Sequence, residues 1–282
     1  MKVYSSITSL RQKTLSLSQK NIVVIPTMGN LHEGHFSLIK KGRSIVGEEG
    51  LVIVTIFVNK TQFSPKEDLK KYPRSMKADL NHCRRLKVDS VFTPKDQSMY
   101  SHEYSTFVNE QQLSKAMEGK SRSCHFKGVT TIVAKLFNII QPNAAVFGAK
   151  DWQQATIVKR MVKDLNFPVK IIIAPIIREK DGLAMSSRNS YLNSSERAEA
   201  TILIETINLA KNIVRKRKTP ISTNILLKRL KKNITKKHTA TLDYIEFFNP
   251  KSLEPMEKVQ RGTHMAIAIY LGKTRLIDNG RL

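Results

Sequence analysis

The sequence predicts an α/β protein, a Rossmann-like parallel sheet followed by a smaller α+β domain. Three observations carry this. Near-continuous apolar runs at 21–27 (NIVVIPT), 51–58 (LVIVTIFV) and 170–177 (KIIIAPII) are separated by helical stretches, the pattern of parallel strands buried on both faces. The alternation stops after residue 177, where helices come first and strands follow. The chain has 282 residues, 40% of them hydrophobic, which is enough for two ordinary domains with a core each.

In order along the chain, 21–27 reads as a buried strand, 35–45 as a helix and 51–58 as a second strand rich in β-branched residues. A helix over 76–86 precedes a short strand at 90–93, and 105–109 reads as a further extended piece. A helix over 129–140 is stopped by Pro142. Then come a strand at 144–147, a helix at 151–165 and a strand at 170–177. Right-handed crossovers put a ligand crevice at the strand C-termini. Beyond, a helix over 195–217 carries the stripe Leu203, Ile207, Ala210, Val214. A second, after Pro220, carries Leu226, Leu227, Leu230 and Ile234. Strands at 242–248 and 264–271 close the chain, joined by a loop holding Pro250 and Pro255. The expected domains are 1–177 and 178–282.

Lysine and arginine total 48 and aspartate and glutamate 23, a net charge of +25. Between 201 and 240 there are eleven Lys/Arg and one acid, Glu205. No aromatics interleave with these cations, as a single-strand groove would want. The segment therefore reads as a solvated basic face, with non-specific RNA contact at low salt but no specific nucleic-acid partner. Cys83 and Cys124 cannot form a disulfide framework, and the N-terminus lacks the apolar stretch of a signal peptide. The apolar runs are too short to span a bilayer. A cytoplasmic protein with no membrane partner is expected.

The strongest local signal is Pro26-Thr27-Met28-Gly29-Asn30-Leu31-His32-Glu33-Gly34-His35, where the first strand gives way to the first helix. Gly29 permits a tight turn, and the helix start offers N–H groups to an anion. His32 and His35, three apart, share one face of the first turn and suit charge building on a phosphate. The spacing is one residue short of a zinc-protease pair. The adjacent pairs His82-Cys83 and Cys124-His125 are poor zinc sites, and neither dinucleotide nor P-loop glycine patterns occur. At the second strand's end, Asn59 and Gln62 are amides able to bind a small polar substrate. Gly148-Ala149-Lys150-Asp151 again sits at a strand end. Lys150 suits a phosphate and Asp151 a helix cap or a ribose hydroxyl, and one of Gln153 and Gln154 could face the crevice. The polar loop 178–189 (REKDGLAMSSRN) has hydroxyls and guanidinium for a polyphosphate.

PTMGxLHEGHxSLI, FVNxxQF, GVxTIVxKLFNIIQPxxAxFGxKDxQQ and REKDGLAMSSRNxYL together resemble the pantoate–β-alanine ligase family. The likeness runs through Tyr191-Leu192 and resumes at 242–249 and 272–279. It implies condensation of pantoate with β-alanine using ATP and Mg²⁺, through a pantoyl adenylate, with AMP and pyrophosphate released. By that resemblance Met28, Gly29, Asn30, Leu31, His32, Glu33, Gly34 and His35 form the ATP loop, with His35 a proton donor and His32 its phosphate-binding companion. Gly148, Ala149, Lys150, Asp151, Ile177, Met185, Ser186, Ser187 and Arg188 contact ATP. Lys150, Ser186, Ser187 and Arg188 are the main phosphate partners, and His35, His32, Lys150 and Arg188 are the catalytic set. Gln62, Gln154 and Asn59 hold pantoate or β-alanine. Glu118 and Arg122 fall beside the site, and no metal ligands are assigned. The resemblance also implies a C-terminal lid and a homodimer. Lys60 stands where the family has proline, which should loosen that turn, Ala149 where it has glutamate, and Asn30 where it has alanine, with a possible capping role. Another HxGH nucleotidyltransferase and an RNA-binding protein on an eroded ligase scaffold are the competing readings. Asn59, Gln62 and Gln154 speak against the first, and intact His32, His35, Lys150 and Arg188 against the second.

Overall fold

A computed structural model describes residues 1–17, 19–65 and 67–282. The chain forms two compact units, Met1–Pro175 and Ile176–Leu282. Ile177, expected at the end of the first domain, lies in the second.

The first unit is built on β1 (Lys2–Tyr4), α1 (Ile7–Leu15), β2 (Ile22–Thr27), α2 (Glu33–Val46), β3 (Leu51–Ile56), α3 (Met76–Arg85) and β4 (Ser90–Phe92). There follow α4 (Asp96–Met99), α5 (Glu118–Ser121), α6 (His125–Ile140), β5 (Ala144–Gly148), α7 (Trp152–Asp164) and β6 (Lys170–Ala174). The sheet order is β1-β4-β3-β2-β5-β6, and every pairing is parallel. The central strands β2, β3 and β5 are mostly apolar and buried along most of their length, as strands covered on both faces are. Val23, Ile25, Val52, Val54 and Val146 pack with Leu38 and Ile39 of α2 in one buried cluster. The chain leaves β2 to build β3 and β4 on one side, then crosses to build β5 and β6 on the other. β2 and β5 therefore flank the switch point, where the C-terminal ends of parallel strands open a crevice.

The second unit holds α8 (Ser194–Glu199), α9 (Ile202–Arg215), β7 (Ile221–Ser222), α10 (Thr223–Ile234), β8 (Ala240–Phe248), β9 (Lys258–Val259), β10 (His264–Leu271) and β11 (Thr274–Arg281). Its sheet is antiparallel in the order β11-β10-β8, and β7 pairs with β9. The helix stripes Leu203, Ile207, Ala210, Val214 and Leu226, Leu230, Ile234 join Met265, Ile267 and Ile269 in one core. Leu227 packs at its margin.

Three expectations are corrected. The piece at 105–109 joins no sheet, because its backbone bonds to α6 side chains instead. Thr131 Oγ1 accepts from Val108 N–H at 3.0 Å and Thr130 Oγ1 donates to Val108 O at 2.7 Å. The strand expected through Ile177 ends at Ala174, where Pro175 has no N–H for the ladder. The helix expected over 195–217 is two helices; the first closes with Ala200 N–H on Arg197 O at 3.3 Å. β1, α1 and β11 come without a sequence expectation. Among the described residues no helix is long and apolar enough to cross a membrane.

Candidate active site

The loop after β2 is built around a residue that the motif does not contain. Thr27 Oγ1 donates to Thr55 O at 2.7 Å and accepts from Gly29 N–H at 3.2 Å. Gly29 (φ +88°) and Asn30 (φ +52°) then turn in the left-handed region. At Gly29 a Cβ would lie 3.0 Å from Ile56 Cγ2 and 3.1 Å from Asp79 Oδ2, so both conformation and space require glycine. Asp79, in the first turn of α3 and 1% exposed, receives the N–H groups of Asn30 at 2.9 Å and Leu31 at 2.8 Å. Ser75 Oγ bonds both Asp79 Oδ1 (3.2 Å) and Asn30 Oδ1 (3.1 Å). Asn30 is thus fastened to Ser75, and the helix cap is His32. Leu31 joins the core with its N–H spent on Asp79, so it serves as scaffold.

The two imidazoles come together, with ring centroids 4.1 Å apart. They form a reciprocal capping box on α2: Gly34 N–H donates to His32 Nδ1 at 3.2 Å and His32 N–H to His35 Nδ1 at 3.3 Å. The His32 and Gly34 N–H groups are therefore spent on the histidines and are not among those the helix start offers to an anion. Both Nδ1 atoms accept, so each neutral ring carries its proton on Nε2. Burial, then the repulsion a second positive charge would meet from His32 when protonated and from Lys150, pushes His35 down from 6.5 to about 3. At neutral pH it is an uncharged donor.

The amides past β3 divide into support and ligand-facing groups. Asn59, 1% exposed, has its hydrogen-bonding capacity filled. Its Nδ2 donates to Gln62 Oε1 and Gly128 O, both at 3.0 Å, and its Oδ1 accepts from Thr61 Oγ1 and Tyr100 OH, both at 2.9 Å. Asn59 fixes the Gln62 amide, whose Nε2 also reaches Met28 Sδ at 3.2 Å. Gly128 of α6 is needed because a Cβ there would sit 2.5 Å from Gln62 N. His125 Nδ1 donates to Gln62 O at 3.0 Å, so its Nε2 accepts from Arg122 at 3.2 Å. Burial, then the Arg122 charge, pushes His125 down to about 4. Arg122 is held by Glu67 and, at 3.7 Å, by Glu118. Burial works to raise the Glu67 carboxyl, but the Arg122 hydrogen bond and charge outweigh it and lower its pKa. Lys60, in place of proline, pairs with Asp96 at 2.5 Å.

Gly148 ends β5, and a single 3₁₀ turn, Ala149–Asp151, leads into α7. A Cβ on Gly148 would meet nothing within 4 Å and its φ is an ordinary −80°, so internal packing does not demand glycine. Lys150 Nζ lies 3.9 Å from Asp151 Oδ1 and close enough to His35 to depress it. The adjacent glutamines separate. Gln153 turns inward, donating to Leu113 O and Ala116 O at 2.8 Å and accepting from Glu118 N–H at 3.0 Å. Gln154, about 100° further round the helix, stays half-buried.

In the second unit, residues 177–192 fold back on themselves. Met185 N–H donates to Ile177 O at 3.0 Å, and Arg178 bridges Ala184 across the Gly182 turn (φ +96°). Arg178 grips Asp278 of β11 at 2.6 and 2.9 Å. Arg197 holds Glu179 at 2.7 Å and Asp181 at 2.6 Å, and Asn189 Nδ2 holds Glu179 at 2.7 Å. Ser186 Oγ caps the turn carrying Ser187 and Arg188 by accepting from Arg188 N–H at 3.2 Å. Sequence reasoning missed Asp79, Ser75, Tyr100 and His125, each of which has a partner dozens of residues away in the chain.

Among the described residues no three His, Cys, Asp or Glu side chains cluster to hold a metal. The donor set suits Mg²⁺ carried on phosphate oxygens, with Asp151 the carboxylate at the Lys150 turn.

A parallel sheet with two imidazoles and an ammonium gathered at its switch point defines a Rossmann-like α/β protein fitted to grip an anionic ligand. The sequence model of the Pantoate-beta-alanine ligase family matches residues 2–281, and the chain belongs to that family. It is 46% identical over 281 residues to the pantothenate synthetase of Thermosipho melanesiensis, covering 99% of this chain and 98% of the relative. It is 46% identical over 267 residues to that of Caldicellulosiruptor saccharolyticus, covering 95% and 93%. The crystal structure of pantothenate synthetase from Thermus thermophilus superposes with a TM-score of 0.91 at 36% identity, covering 100% of this chain and 99% of that one. The pantoate-beta-alanine ligase of Francisella tularensis, complexed with beta-gamma ATP and beta-alanine, gives 0.79 at 35% identity, covering 100% and 97%.

Proposed function

We propose that this chain condenses pantoate with β-alanine at the expense of ATP, through a pantoyl adenylate. The observation that carries the reading is the His32–His35 pair beside Lys150 in a member of this ligase family. A carboxylate resists amine attack, so it must first gain a leaving group. The pantoate carboxylate attacks the α-phosphorus and pyrophosphate departs; the β-alanine amine then attacks the acyl carbon and AMP departs. His32 and His35 donate Nε2–H to phosphate oxygens, and Lys150 neutralises charge on the leaving pyrophosphate. Because His35 is uncharged at pH 7, its part is a hydrogen bond rather than delivery of a proton.

Met28 to Gly34, Gly148, Ala149, Asp151, Ile177 and Met185 form the rest of the ATP-binding set. The open space at Gly148 supports a ligand there. Ser186, Ser187 and Arg188 add phosphate contacts. Gln62 and Gln154 hold pantoate, and Asn59 acts through Gln62 rather than on the ligand. Bound Mg²⁺ would screen the phosphate charge.

With ATP, Mg²⁺, pantoate and β-alanine, the purified protein should release AMP and pyrophosphate, and omitting pantoate should abolish release. His35→Ala and Lys150→Ala should each lower kcat by roughly a hundredfold. Turnover with CTP and an alcohol phosphate, but none with pantoate, would overturn the reading.

A further inference from the structure

The second unit has a cavity of about 430 Å³ that the ligase chemistry does not use. It lies between the end of α9, the turn into β7 and the turn between β9 and β10. Its buried floor is apolar, Val214 and Val259 at 3% and 1% exposure. Arg217, Lys218, Gln260 and Arg261 stand around it, and no acidic residue lines it. Two further features favour an anion. The carbonyl end of α9 would repel one, but the Arg261 guanidinium donates to Arg215 O at 2.8 Å and covers that end. The flanking Arg215 and Lys216 are exposed and add to the positive potential at the mouth, where a low-dielectric wall focuses it.

We propose that this cavity binds a small organic anion bearing two or more phosphate charges. Arg217, Lys218 and Arg261 would take the phosphates, and the exposed Pro220 ring above the Val214–Val259 floor would take the apolar remainder. The volume falls in the usual range for small-molecule pockets, about 300–1,000 Å³. The surrounding basic helices alone would give only diffuse attraction. What distinguishes this place is a concavity with cations on its rim and none of its lining residues acidic.

Inorganic tripolyphosphate is the probe, titrated calorimetrically at 50 and 200 mM salt. The wild type should show two binding events. Arg217→Ala/Lys218→Ala should lose one or weaken it at least tenfold, and Lys150→Ala should lose the other. The double variant should keep wild-type ligase turnover. Lys231→Ala/Lys232→Ala, which removes equal charge from α10 outside the cavity, should change affinity less than about twofold, as screened surface charge would. Unchanged stoichiometry and affinity in the cavity variant would overturn the proposal. So would equal weakening in the α10 variant, which assigns the binding to diffuse charge, and so would a collapse of turnover in the cavity variant.

Discussion

Residues 27–35 and residues 177–192 each hold a short polar stretch in a fixed shape, and they do so with different materials. The first stretch hangs on Asp79, a carboxylate 1% exposed, which accepts two main-chain N–H groups and the Ser75 hydroxyl. The second leans mostly on guanidinium–carboxylate pairs at the surface, Arg197 with Glu179 and Asp181, whose side chains are 31–39% exposed. Only Arg178–Asp278 has a buried partner, with the Asp278 side chain 1% exposed. The contrast teaches that motif density does not measure rigidity. The charged REKDG run spends its charges on Arg197 and Asp278, while the PTMGN loop, which has no charge of its own, hangs on the buried Asp79.

Removing the hub of the first stretch should give the largest effect. Asp79→Ala leaves the buried Leu31 N–H and the part-buried Asn30 N–H without an acceptor and should cost about 3–5 kcal/mol, with turnover falling at least tenfold. Urea denaturation and steady-state rates check it, and a loss below that of Arg197→Ala would dissolve the comparison. Arg178→Ala, which strands the buried Asp278, should cost about 2–4 kcal/mol in the same denaturation measurement.

Acid should act next. His35 is held at about 3 and His125 at about 4, both below the ordinary 6.5; burial also lowers His264 in the second unit. Between pH 6.5 and those values the unfolded chain binds more protons than the folded one. Stability is therefore full above about 6.5 and falls as pH drops through that window. Denaturation midpoints from pH 8 to 4.5 should show this slope, and His125→Asn should flatten it. A level profile in the wild type would deny that the histidines are buried neutral. The smallest effect belongs to Arg197→Ala, about 0.5–1 kcal/mol, and 0.5 M salt (roughly a Debye length of 4 Å) should shrink it further.

What the sequence displays depends on how far apart the partners are. The paired imidazoles were legible because strand end, glycine and the i, i+3 spacing are local. The apolar strands and the helix stripes ending at Val214 and Ile234 were legible for the same reason. Asp79 was not, since it meets Leu31 across 48 positions. Asn59 looked like a ligand contact until Tyr100 and Gly128 were seen to fill it. Neighbours in sequence, Gln153 and Gln154 differ only by which side of α7 the fold covers. β11 (TRLIDNGR) carries Asp, Asn and Gly that argue against a strand, yet it pairs along its whole length with β10.

The reciprocal cap on α2 also bears on how this protein could be blocked. Its two rings have already committed one nitrogen apiece to the backbone, so a competitor meets hydrogens and never lone pairs. Compounds ending in sulfonamide or carbonyl oxygens match that surface, whereas an amine head group would find no acceptor on either ring.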